Sequence, residues 1–189
     1  MTITLNGTTG ITTPAVSSTG NSTFAGSLAL PSGGLTVGTD QLTVDGSGRV
    51  TMPYQPAFLA FKTVNQIPNT TATTKITYDT TELNIGGAYN TSTSIFTAPI
   101  AGNYLFIVLF NPYNILNAQY QVILHKNGSP IRNLTRGIMS SDSDICLPSS
   151  VILNLSANDY VEVYVQVNDT SWGISNGSYW NSFSGYLLG

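Results

Sequence analysis

The chain has 189 residues, of which only 8% are charged, and its formal net charge is -3. That length suits one domain of ordinary size plus an appendage. The six basic residues, Arg49, Lys62, Lys75, Lys126, Arg132 and Arg136, are scattered along the chain, so they form no basic stripe for phosphates and nucleic acid is not an expected partner.

Residues 1 to 57 are dense in Thr, Ser and Gly and hold only Asp40, Asp45 and Arg49 as charges. Met1 to Asn6 lacks the charged and apolar regions of a secretory signal, which predicts synthesis in a cytoplasm without export by that route. Isolated apolar residues such as Ile3, Leu5, Ile11, Val16 and Phe24 cannot bury enough surface within one chain to offset the entropy of ordering it. Residues 34–38, 41–46 and 48–53 echo one another as short apolar-polar strands followed by Gly or Asp-Gly, a weak quasi-repeat. Three chains wound together would bury these residues along a common axis; the alternative is a linker. Pro53-Tyr54-Gln55-Pro56 favours a stiff, extended crossing, which divides an attachment or shaft segment, residues 1–57, from a second domain, residues 58–189.

In that second domain the run Tyr104-Leu105-Phe106-Ile107-Val108-Leu109-Phe110 is apolar throughout. It is far shorter than the roughly 20 residues of a membrane-spanning helix, so no membrane insertion is expected. A strand covered on both faces accounts for it, and a neighbouring subunit is a candidate for the second cover. Lys126-Asn127-Gly128-Ser129 places Asn-Gly between two apolar segments, a hairpin signal. From Val161 to Val167 the pattern alternates strictly, which predicts a half-buried strand with its valines facing a core. Short strands punctuated by Gly, Pro, Asn and Ser argue for an all-β sandwich or barrel.

Residues suited to chemistry are few. His125 is the only histidine, so no histidine pair is available from one chain, and the chain is not expected to be an enzyme. Three copies of His125 on a trimer axis would be needed for a histidine metal site. Cys146, the lone cysteine, excludes an intrachain disulfide framework and is expected to serve as a small buried residue. Asp142 and Asp144 have the alternate spacing and oxygen-rich surroundings that calcium accepts, but the remainder of a calcium loop is missing and a solvated Asp-Ser-Asp loop is the expected reading, which leaves them weak calcium candidates. No cofactor is therefore expected, with calcium the one ion in question. Trp172, Tyr179 and Trp180 lie among Gly, Ser and Asn, a setting that suits a binding surface or sugar stacking. These rings would alternatively pack in a subunit interface or plug one end of a barrel. With Tyr113 in Asn111-Pro112-Tyr113-Asn114 and residues 137–144, they are the candidate receptor contacts.

Tyr78, Asn84, Tyr89, Phe96, Gly102, Tyr104 and Phe106 follow at spacings that resemble the signature of the complement C1q globular head. Two positions depart from it: Tyr78 stands where Phe is usual, and Val108 replaces a final aromatic. The segments 122–128 and 183–188 resemble the family's mid-domain hairpin and its last strand, and 155–161 its "leucine, then Gly-Asp, then valine" turn, with Asn158 where Gly is commoner. The resemblance covers about residues 58 to 189. It implies a ten-stranded jelly roll of the C1q/TNF type, assembled as a homotrimer, that binds ligands and catalyses nothing; some relatives hold calcium near the trimer apex. Residues 1–57 resemble in texture the attachment and shaft segments of bacteriophage fibres. Together these imply a virion structural protein, a trimeric tail fibre or similar appendage. Residues 1–57 would dock on other virion proteins and the knob would bind a host cell-surface ligand, such as a glycan. A capsid decoration protein or head fibre of the same build, or a non-viral trimeric binding module, are the alternatives.

Overall fold

The computed structural model describes residues 36–37, 42–44, 47–139 and 146–189. The first three strands, β1 (Thr36–Val37), β2 (Leu42–Val44) and β3 (Val50–Thr51), pair in that order as an antiparallel meander. Each coincides with one copy of the quasi-repeat. A turn closed by Gln55 N donating to Met52 O then leads into the second domain.

There the chain forms β4 (Ala57–Phe61), β5 (Thr74–Lys75), β6 (Thr80–Ile85), β7 (Tyr89–Asn90), β8 (Ile95–Thr97) and β9 (Gly102–Phe110). It continues through β10 (Pro112–Tyr113), β11 (Ala118–Lys126), β12 (Ser129–Met139), β13 (Leu147–Leu155), β14 (Tyr160–Val167), β15 (Gly173–Ile174) and β16 (Ser182–Leu187). One sheet has the order β13-β9-β16-β4-β6 and the other β12-β11-β14-β8-β7, with β5 pairing β14 off that path. The ten strands along these two paths form the expected jelly roll, and β10 and β15 make a separate ribbon. Among the described residues there is no helix.

The spaced aromatics meet between the sheets. Phe58 stacks on Tyr89 at 4.8 Å and on Phe96 at 5.0 Å, and meets Phe183 edge-on at 4.9 Å. Phe96 in turn touches Tyr104 and Phe106, each at 5.3 Å. Burying each such ring stabilises the fold by about 1.5–3 kcal/mol, and favourable ring geometry adds about 0.5–1.5 kcal/mol per pair. The polar residues of the signature have equally local reasons. Asn84 grips the backbone of Tyr89 twice, Nδ2 donating to its carbonyl at 2.9 Å and Oδ1 accepting from its N–H at 3.1 Å. At Gly102 a Cβ would lie 2.7 Å from Leu187 Cδ1 and 3.1 Å from Gly189 O, so a side chain there would have to push the Leu187 methyl aside.

The turns follow their sequence signals. Asn127 and Gly128 adopt φ of 52° and 78° in the β11–β12 hairpin. Asn158, standing where Gly is commoner, has φ of 71°, a conformation Asn tolerates better than most residues. Val161, Val163, Val165 and Val167 all point into the core, as the alternation predicts. Tyr78, where Phe is usual, is also fully buried, and its hydroxyl has no hydrogen-bond partner among the described residues.

Candidate functional site

Strand β9 resolves the apolar run into two sets. Tyr104, Phe106, Val108 and Phe110 enter the core, while Leu105, Ile107 and Leu109 face out from the five-stranded sheet. The pairing register lines up Leu83, Leu59, Ser184 and Ile107 across that outward face, and beside them Ala57, Tyr186, Leu105 and Ile152. Ile107 and Leu83 are each 43% exposed, Tyr186 46% and Ile152 59%. A shallow recess of about 260 Å³ among Ala57, Leu59, Leu83, Leu105, Ile107 and Tyr186 is almost free of polar groups. Beneath this face Gly185 packs directly on the aromatic core: a Cβ there would sit 2.5 Å from Phe58 and 2.9 Å from Phe106.

A second region closes the end of the sandwich remote from the start of β4 and the finish of β16. There Asn181, fully buried, donates from Nδ2 to the carbonyls of Asn111 at 3.0 Å and Ser175 at 2.7 Å, and its Oδ1 accepts from Asn111 N at 2.9 Å. Lys62 is fully buried beside it, with Nζ donating to Thr77 O at 2.5 Å, Thr77 Oγ1 at 3.1 Å and Gln66 Oε1 at 3.2 Å. Burial pulls its pKa down to about 8, with the Asp79 carboxylate opposing the shift. Gly177 N donates to Lys62 O, so this buried framework fixes the loop that carries the candidate aromatics.

The structure sorts those aromatics. Tyr179 is 85% and Trp180 45% exposed, and both remain available to a ligand. Trp172 is not: it is 1% exposed, and its Nε1 donates to Thr70 O at 2.9 Å, so the ring packs inside and pins a neighbouring loop. Tyr113 is half-buried and lies across Gly173, where any side chain would collide with its ring. The two carboxylates proposed for calcium, Asp142 and Asp144, lie outside the described residues. Cys146 is partly exposed, its Sγ near the carbonyls of Tyr179 and Trp180.

On the opposite, six-stranded sheet the outward face is mainly polar, with Ile123, Ile138 and Tyr164 set among Gln119, Gln121, Glu162 and Gln166. Lys75 pairs with Glu162 at 2.5 Å, and Gln121 bonds Gln166 at 2.6 Å. His125 stacks on Tyr164 at 4.0 Å, and among the described residues neither of its ring nitrogens has a hydrogen-bond partner. At one end of this sheet Lys126 meets Asp159 at 2.7 Å, and hydrogen bonds from Lys126, Asn127 and Ser156 hold the Asp159 carboxyl down at about 2. Among the described residues no group of three His, Cys, Asp or Glu side chains is arranged to hold a metal. The buried Lys62 and Asn181 were not foreseen from the sequence, where nothing distinguishes them from surface residues. The outward row of β9 was implied by the doubly apolar run.

A family model, the C1q domain, matches residues 57–188. Among solved structures, the globular domain of zebrafish complement 1qA is 16% identical, with 71% of this chain and 98% of that chain covered and a TM-score of 0.52. A crystal structure of murine APRIL at pH 8.5 is 14% identical, covering 71% of this chain and 99% of that one at a TM-score of 0.53. APRIL at pH 5.0 is 16% identical over the same shares, also at 0.53. At these identities the likeness establishes the shared fold.

Proposed function

The chain belongs to the C1q domain family, and from that membership we propose that it is a homotrimeric binding module without a reaction of its own. The observation that carries this reading is the uncovered apolar face around Leu105, Ile107 and Tyr186. A contiguous apolar surface of this kind marks an interaction site on a soluble protein, and in a β-sandwich that is commonly trimeric, two further copies are the natural cover. Assembly through this sheet leaves the polar sheet outward and gathers three copies of the loop with Tyr179 and Trp180 at the end away from the chain's entry into the domain. Three weak ligand contacts then act together by avidity. Histidine metal binding on the axis does not fit this arrangement, because His125 is on the opposite sheet.

The setting we propose is a bacteriophage fibre, made in the host cytoplasm and carried on the virion. Residues 1–57 attach to other virion proteins, and the knob, residues 58–189, contacts the host. The low charge, the Thr, Ser and Gly texture of residues 1–57 and the β1–β3 meander support this setting. Light scattering on a sizing column tests the core of the reading: the expected mass is three times the chain mass of 20.1 kDa, and a monomer at micromolar concentration would sink it. Antibody labelling of intact virions tests the setting, since the expected label lies on tail fibres.

A further inference from the structure

Near the far end of the polar sheet, Gln119 and Gln121 of β11, Gln166 of β14 and the adjacent Asn168 surround a recess of about 300 Å³, also lined by Thr71 and Tyr120. That volume is at the lower end of small-molecule sites, which run from about 300 to 1,000 Å³. The walls are fixed from within. Trp172 Nε1 holds Thr70 O at 2.9 Å, Gln166 Nε2 reaches Thr71 O at 3.3 Å, and Asn168 N donates to Gln119 O at 2.8 Å. Gly137 leaves the space that Tyr120 occupies, since a Cβ there would lie 2.8 Å from the Tyr120 hydroxyl.

The hydrogen-bond inventory shows what the recess offers. Gln121 Nε2 donates to Gln166 Oε1 at 2.6 Å and Arg136 Nη2 to Gln119 Oε1 at 3.1 Å. Gln121 Oε1, Gln119 Nε2, both side-chain atoms of Asn168 and the Thr71 hydroxyl keep no partner among the described residues. Donors and acceptors are thus interleaved, and no carboxylate or lysine lines the recess. An anion would find only Arg136, which stands opposite Gln121 with its guanidinium already engaged. An extended peptide would need a free strand edge, but β11 and β14 are paired on both sides. Neighbouring hydroxyls of a sugar, each able to donate and accept, match mixed amides and hydroxyls. Ile138, opposite Gln119 and 69% exposed, adds an apolar patch for a sugar's C–H face.

We propose that this recess is a saccharide subsite that takes one neutral hexose unit of a surface glycan through Gln119, Gln121, Gln166 and Asn168. The inference rests on the reading of the domain as a binding module and supplies the ligand class and a location apart from the exposed Tyr179 and Trp180. The test is a titration of the ¹⁵N-labelled full chain with methyl glucoside, methyl galactoside and methyl mannoside, alongside binding to an array of neutral oligosaccharides. The expected result is a saturable shift of the Gln121, Gln166 and Asn168 side-chain amides with at least one sugar. Gln121→Met or Asn168→Leu should weaken array binding about tenfold, the loss of one or two neutral hydrogen bonds, with solution mass and melting midpoint unchanged. Either variant suffices if the other fails to fold. No shift with any of the three sugars and no array binding overturns the proposal, as does array binding that both variants leave intact. Binding lost only on Trp180→Ala overturns the subsite but leaves the binding-module reading standing, whereas a monomeric mass strikes at that reading itself.

Discussion

The two sheets share a core yet turn opposite chemistry outward. Across the five-stranded sheet lie Leu59, Leu83, Leu105, Ile107, Ile152 and Tyr186; across the six-stranded sheet lie mostly polar residues, Lys75, Gln121, His125, Glu162, Tyr164 and Gln166, with Ile123 among them. Both faces come from the same alternation of side chains along a strand, so the difference does not arise from backbone geometry. It reports what each face is meant to meet. An apolar row gains free energy only when water leaves it, while a polar row that holds an ion pair and an amide pair and can bond water through its remaining amides can stay wet at little cost.

The largest effect should come from placing a charge on the apolar face. In the proposed trimer Ile107→Asp would bury an unpaired carboxylate between subunits, which costs several kcal/mol, so light scattering should find monomers for this variant beside the trimers expected of the parent. A mass that stays trimeric would move the interface elsewhere. Next, Gly185→Val probes the layer beneath that face: its side chain must displace Phe58 and Phe106, and denaturant unfolding should show a loss of about 1–3 kcal/mol or more.

A titration of stability separates the buried end from both faces. The Lys62 pKa is lowered to about 8, so between that pH and its ordinary value of 10.5 the unfolded chain holds a proton that the folded chain has lost. Stability should therefore rise with pH across that window. Above pH 10 the buried Tyr78 and Tyr89, whose pKa values burial raises, keep protons that the unfolded chain releases, and stability should turn down. Melting midpoints from pH 7 to 11 should accordingly pass through a maximum, and Lys62→Met should remove the rising limb. The smallest effect is expected at the edge of the polar face, where Lys126→Gln removes an ion pair whose Asp159 carboxylate keeps its bonds from Asn127 and Ser156; it should cost no more than about 1 kcal/mol in denaturant unfolding and leave the solution mass unchanged. A larger loss would mean that this face, too, is covered in the assembly.

Much of this was legible beforehand because it depends on local pattern. The aromatic spacing marks positions whose rings meet in one cluster, Asn127-Gly128 specifies a hairpin, and alternating valines specify a half-buried strand. The candidate site was legible only in part. Trp172 and Trp180 share the same Gly, Ser and Asn surroundings in sequence, yet one is pinned inside by a bond to Thr70 and the other is open to solvent. Lys62 looks like any surface lysine until Gln66 and Thr77 fold over it.

The sequence by itself determined the all-β jelly roll, its turns and the aromatic core, because strand period, turn chemistry and spacing act over a few residues. Only the tertiary structure decided which aromatics are available to a ligand, that an apolar row is left uncovered, and that Gln119, Gln121, Gln166 and Asn168 converge. Those outcomes depend on strand register and loop packing between residues far apart in the chain, such as Gln121 with Gln166 and Thr70 with Trp172, and no short-range pattern encodes such pairings.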